Sequence, residues 1–143
     1  MATAEQFLAT KGGAVASLSP QATVLQAARL MNDWHIGSVL VVDKNRLAGI
    51  FTERDVLRRI VAEQRSPART KLSSVMTTPV ACAAGHTPLA EIGKVMREKR
   101  IRHIPVLDGD RVCGMISIGD LNKAEHEGQE QTIRYLEQYM TVT

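Results

Sequence analysis

A chain of 143 residues can bury a core without disulfide or metal staples, and 44% hydrophobic with 23% charged residues is the balance of a folded globular sequence, not a disordered or fibrous one. A net charge of +3 is small for phosphate-driven nucleic-acid binding, and aromatics at 3% offer little surface on which bases could stack. Met1 to Thr10 lack the basic start and apolar run of a signal peptide, and no apolar stretch reaches the ~20 residues that span a bilayer, so the cytoplasm is the expected compartment and no membrane partner is expected.

In chain order, Ala14 to Leu18 reads as an extended segment. A helix follows, with Leu25, Ala28, Leu30 and Met31 at three- and four-residue steps and Thr23 near its start as a cap. Ser38 to Val42 and Leu47 to Phe51 read as two strands of a hairpin closed by the polar turn Asp43-Lys44-Asn45. Thr52 ends the second strand, and Arg54 to Glu63 reads as a helix. Residues 65–75, with Pro67 among polar neighbours, read as a linker. The same order then returns: an extended Pro79 to Ala83, and a helix with Leu89, Ile92, Val95 and Met96 behind Thr87. Strands Ile104 to Leu107 and Val112 to Ile116 then flank Asp108-Gly109-Asp110, and a helix runs from Asp120 to about His126. The tail, 127–143, carries Ile133, Leu136 and Met140 on one helical face that calls for a partner surface.

The return is a duplication. A single 65-residue shift lays Met31, Ile36, Val41, Asp43, Arg46, Gly49 and Asp55 on identical residues, seven matches in the 25 positions from 31 to 55. Two strand-helix-strand-strand-helix units, neither able to cover both faces of its sheet alone, imply an α+β fold in which the copies pack on each other.

The copies also share a chemical pattern. Gly49-Ile50-Phe51-Thr52-Glu53-Arg54-Asp55 and Gly114-Met115-Ile116-Ser117-Ile118-Gly119-Asp120 place a glycine, a hydroxyl and a carboxylate at one spacing across a strand-to-helix junction. Glycine lets backbone pass close to a ring, the helix start offers amides to phosphate, and a carboxylate suits the two hydroxyls of a ribose. Asp55 and Asp120 equally suit plain helix capping. Cys82 and Cys113 lack zinc spacing and read as buried small apolar residues, and His35, His86 and His126 read as ordinary polar or capping residues. Trp34 reads as a core or interface anchor, not an adenine platform. No metal site is expected, and no nucleophile motif, Walker loop or dinucleotide fingerprint stands in the sequence, so no catalytic residue is assigned and an enzyme is not expected.

These residues resemble a tandem CBS-domain pair, also called a Bateman module, over roughly residues 8 to 126. The family pattern of glycine, apolar, any residue, Thr or Ser, two residues, Asp is met in both copies, and the runs Met76-Thr77-Thr78-Pro79-Val80 and Ile101-Arg102-His103-Ile104-Pro105-Val106 fit the layout. The resemblance implies two β-α-β-β-α units related by a pseudo-two-fold, at 8–64 and 76–126, with a short N-terminal segment and a C-terminal helix. It implies AMP, NAD, ADP, ATP or S-adenosylmethionine in one or both clefts between the copies, and a homodimer that reports ligand occupancy to a separate protein effector. Asp55 and Asp120 would take ribose, and Thr52 and Ser117 ribose or phosphate. Ile50, Arg54, Val80, Met115 and Gly119 join them as cleft residues by the same resemblance. The second site has no charge of its own in Ile118 and Gly119, so Arg102 and His103 are expected to help it, opposite their small counterparts Gly37 and Ser38; a solvated strand-edge charge is the plainer reading of Arg102. A dimerisation scaffold with empty clefts, and nucleic-acid binding through the basic linker, are the competing readings.

Overall fold

Each strand of the computed structural model, which describes residues 2–12 and 15–127, repeats at the same place in the two copies. The first copy holds β1 (Ser17–Leu18), α2 (Val24–Trp34), β2 (Ser38–Asp43), β3 (Arg46–Thr52) and α3 (Glu53–Asp55), preceded by α1 (Ala4–Lys11). The second holds β4 (Ala83–Ala84), α5 (Leu89–Lys99), β5 (His103–Asp108), β6 (Arg111–Ser117) and α6 (Ile118–Glu127), preceded by α4 (Leu72–Val75). Two three-stranded mixed sheets result, β1-β2-β3 and β4-β5-β6, each with one parallel and one antiparallel pairing. Even the bulge is duplicated, between Val41 and Val42 and between Val106 and Leu107.

The hairpins form where alternation and turn residues predict them. Lys44 and Asn45 both take positive φ, 50° and 65°, the conformation of a tight two-residue turn that matches strand twist. In the second hairpin Gly109 takes the positive φ, 62°. Thr23 caps α2 as expected: its hydroxyl accepts the Gln26 amide at 3.2 Å while the Gln26 side chain accepts the Thr23 amide at 2.8 Å. Thr87 does not cap α5. Pro88 stands at that position, and the Thr87 hydroxyl accepts the Ala84 amide at 3.1 Å, holding the turn after β4.

Each copy has its own core. Val24, Ala27 and Met31 of α2 pack on Val39, Val41 and Phe51, with Ile60 beyond; Ile92 and Met96 of α5 pack on Ile104, Val106 and Ile116. The buried stripe of α2 therefore starts one residue before the expected one: Leu25 and Ala28 sit at its margins, and Val24 and Ala27 at its centre. Cys82 and Cys113 are exposed, not buried.

Two departures from expectation shape the clefts. The segment expected as one helix from Arg54 to Glu63 is a single α-turn, Glu53–Asp55, running into a π-helix, Val56–Val61, which buries Ile60 and leaves Leu57 and Val61 outside. Apolar spacing cannot distinguish the wider helix, because it specifies which residues are buried and not which carbonyl each amide reaches. The second departure is in the short helices. The expected linker contains α4, whose Leu72 and Val75 are core residues of the first copy. α1 precedes the first copy yet packs on the second: Ala4 and Glu5 amides donate to the Thr87 and Gly85 carbonyls at 2.9 Å, and Ala4 is fully buried there. Each copy is thus completed by the short helix that precedes the other.

The expected extended segments are shorter than predicted, β1 covering two residues and β4 covering Ala83, the last residue of the predicted Pro79 to Ala83, and Ala84 beyond it. Ala14 and the tail residues Ile133, Leu136 and Met140 lie outside the described residues.

Candidate functional site

β3 and β6 meet between the two sheets, and their C-terminal ends deliver the two hydroxyl and carboxylate pairs. Thr52 follows the last core residue of β3, Phe51, so the chain must leave the sheet there, and its side chain is free to cap. The Asp55 amide donates to the Thr52 hydroxyl at 3.2 Å, while Asp55 Oδ2 accepts the Thr52 amide at 2.9 Å and its hydroxyl at 3.2 Å. The second copy repeats this, with the Asp120 amide donating to Ser117 Oγ at 3.1 Å and Asp120 Oδ2 accepting the Ser117 amide at 2.9 Å. In each pair the capping bonds fall on Oδ2, and Oδ1 of Asp55 faces Arg59 Nε at 3.5 Å.

Two clefts open beside these pairs, each lined by both copies. The first, about 170 Å³, takes Thr52, Arg54 and Asp55 from the first copy and Arg100, Arg102 and His103 from the second. Ile50 and Gly37 also line it. The second, about 370 Å³, takes Met115, Ser117 and Asp120 from the second copy and Gly37, Ser38 and Trp34 from the first. Its volume lies in the range of ordinary small-molecule sites. Of the expected cleft residues, only Val80 and Gly119 line neither. Val80 is half-buried, and its carbonyl accepts the Cys82 thiol at 3.2 Å.

Three placements depart from the sequence reading. Arg102 is expected to serve the second site and instead lines the first, because the start of β5 lies beside the end of β3 in that cleft. The cation at the second site is Lys11 of α1, whose Nζ donates to Asp120 Oδ2 at 2.8 Å and to the Met115 carbonyl at 2.7 Å. Nothing in the local spacing around Asp120 points to Lys11, which arrives only because α1 crosses to the second copy. Trp34 is neither in a core nor remote: it is half exposed and lines the second cleft. The room expected at Gly37 is partly taken, since a β-carbon there would lie 3.0 Å from Glu53 Oε1.

The motif glycines also do something other than expected. A β-carbon on Gly49 would lie 2.6 Å from Met76 Sδ, just past α4, and one on Gly114 would lie 2.7 Å from Leu8 of α1. They make room for side chains at the exchanged short helices.

Electrostatics separate the clefts. For Asp120, burial pushes the carboxyl up, but hydrogen bonds from Lys11 and the Ser117 amide outweigh it and hold the group below the ordinary carboxylate value. His103 lines both clefts; burial lowers its pKa against the opposing pull of Glu53 and Asp120, so it stands neutral at pH 7. Asp55 faces Arg59 Nε at 3.5 Å, and Arg59 in turn donates to the Val75 and Met76 carbonyls at 2.8 and 3.2 Å, tying α4 to the site. Among the described residues, no group of three or more His, Cys, Asp or Glu side chains is placed to hold a metal ion, and no helix is long and apolar enough to cross a membrane.

Comparison with known proteins gives the same layout. A mitochondrial CBS domain-containing protein of Arabidopsis thaliana is 37% identical over 118 residues, covering 78% of this chain and 57% of the relative. The chain therefore spans little more than half the length of that relative. A solved CBS-domain protein of Burkholderia ambifaria is 38% identical with a TM-score of 0.82, over 86% of this chain and 93% of the other. A CBS domain protein of Pyrobaculum aerophilum, complexed with AMP, is 22% identical with a TM-score of 0.75, over 83% of this chain and 89% of the other, and shares the fold. Residues 10–62 and 72–127 each match the CBS domain family, one match per copy of the duplicated unit, so the chain belongs to that family and is a tandem CBS pair.

Proposed function

We propose that this chain is a regulatory module that binds an adenosine nucleotide in the clefts between its repeats and passes occupancy to a separate protein. The reading carries with it the division into repeats at 8–64 and 76–126, a linker at 65–75 and a tail at 127–143, and assembly as a homodimer. One observation carries it: each cleft presents a hydroxyl and a carboxylate from one copy to a space walled by the other copy. A ligand bridging that space changes how the copies pack, which is how a module without catalytic machinery produces an output. The AMP in the Pyrobaculum protein is consistent with an adenosine ligand, and the chemistry here suits one, because carboxylate oxygens accept both ribose hydroxyls.

A thermal-shift screen with AMP, ADP, ATP, NAD, NADH and S-adenosylmethionine tests this, since a ligand at 100 times its Kd adds about 2.7 kcal/mol of stability. At least one ligand is expected to raise Tm. Asp55→Ala or Asp120→Ala should weaken that ligand by roughly ten- to a hundred-fold, about 1.5–3 kcal/mol. Because each Asp also caps its helix, the variants start from a lower Tm, and the ligand-dependent increment is the quantity compared. A flat response to all six ligands would favour the second reading, a dimerisation scaffold in which both carboxylates serve only as caps.

A further inference from the structure

The two clefts share a geometry and differ in charge. Arg54, Arg58, Arg100 and Arg102 all line the first, against the carboxylates of Glu53 and Asp55. Their counterparts across the duplication are Gly119, Lys123, His35 and Gly37, so none of the four arginines recurs at its duplicated position. The second cleft is left with Lys11 as its single lysine or arginine, already paired with Asp120.

Among the described residues none of these four arginines donates a side-chain hydrogen bond or forms an ion pair. Arg59, one residue beyond Arg58, is by contrast committed to Asp55 and to two carbonyls. Both lie on the π-helix that starts directly after Asp55, with Arg58 lining the cleft while Arg59 reaches toward α4. Arg100 is positioned by the end of α5, where it takes a left-handed conformation at φ 54°; His35 holds the same place after α2 and lines the second cleft. The duplication thus presents one backbone twice, with guanidinium groups added on one side only.

Uncommitted guanidinium groups converging on a small cleft repel one another until an anion arrives, and the planar fork of each matches phosphate oxygens. At about 170 Å³ the first cleft is tight, and Arg58, Arg100 and Arg102 are exposed around it, as suits a phosphate chain that extends outward.

We propose that the first cleft selects its nucleotide by phosphate number, taking adenosine di- or triphosphate through Arg58 and Arg100, whereas the second is indifferent to phosphate number. This rests on the nucleotide reading above and adds to it a division of labour between the clefts. Glu53 and Asp55 offset part of the positive charge and keep the first cleft from binding every anion equally.

The test is isothermal titration with AMP, ADP and ATP in magnesium-free buffer at fixed salt, on the intact chain and on the Arg58→Gln/Arg100→Gln double variant. Trp34, the single tryptophan of the sequence, lines the second cleft and reports its occupancy by fluorescence in parallel. Affinity is expected to rise at least about tenfold from AMP to ATP, the size of one charge-assisted contact. That rise should come without a matching change in the Trp34 titration, and the double variant should flatten the series. Both arginines are exposed, so the variant is expected to fold, and its far-UV circular dichroism confirms that. Equal affinity for AMP, ADP and ATP overturns the inference while leaving the nucleotide reading in place. So does a rise that survives in the double variant or follows Trp34 fluorescence. Binding of none of the three, nor of NAD or S-adenosylmethionine, overturns both.

Discussion

His103 shows how one side chain links the clefts to the stability of the fold. Burial lowers its pKa from the ordinary 6.5, ahead of the opposing attraction of Glu53 and Asp120, with Arg102 and Lys11 adding to the lowering. The unfolded chain takes up this proton near 6.5, and the folded chain resists it until a lower pH. Stability is therefore complete above 6.5 and falls as pH drops from 6.5 through the lowered folded value. Asp120 acts further down the scale: its folded value lies below the ordinary 3.8, so its contribution is present above 3.8 and is lost as pH falls through the folded value. Urea midpoints measured from pH 8 to pH 5 should fall once pH passes below about 6.5, and His103→Gln should make that curve shallower. An equal slope in the variant would remove His103 as the cause. At this scale the sequence disclosed the groups that a repeated spacing marks, Thr52, Asp55, Ser117 and Asp120. It hid Lys11, which reaches the second cleft through packing that no local spacing encodes, and for the same reason Arg102, read toward the second cleft, lines the first.

Elements were legible in proportion to how locally they are determined. The hairpins were readable because apolar alternation and a polar turn lie in adjacent residues, and the register and bulge then follow in both copies. The π-helix and the exchange of α1 and α4 were not readable. The glycines of the repeated motif were legible as glycines but not for their reason, which is contact with Met76 and Leu8. That reason is testable as a coupling. Gly114→Ala should cost about 1–3 kcal/mol, because its new β-carbon meets the Leu8 side chain that anchors α1. Leu8→Ala removes the obstacle, so the double variant should be more stable than the two separate losses sum to, by about 0.5–3 kcal/mol. Additive losses in a urea denaturation cycle would mean that the glycine serves something other than α1.

Across the whole molecule, the exchange of short helices makes the copies depend on each other in an asymmetric way. The first copy is completed by α4, enclosed between the repeats, with Leu72 fully buried, its amide bonded to the Ala22 carbonyl at 2.8 Å, and Arg59 holding the Val75 and Met76 carbonyls. The second is completed by α1, held at its start by the Ala4 and Glu5 amides on the Thr87 and Gly85 carbonyls and at its end by Lys11 on Asp120. Removing α1 would expose Ala4's site in the second core, uncover the face of β6 at Gly114 and leave Asp120 without Lys11. Local openings draw on the contacts of one cooperative unit, so the loss should concentrate in the second copy. Hydrogen exchange on a chain lacking residues 1–12 should show β5 and β6 amides losing protection well ahead of those of β2 and β3. In the intact chain the two hairpins, matched in length and register, should exchange more nearly alike. If protection instead fell equally in both hairpins, the copies would form one cooperative unit, and α1 would act on the module as a whole. A selective loss would identify α1 as the element whose docking state governs the second cleft, because the contact that anchors its last residue is the carboxylate of that cleft.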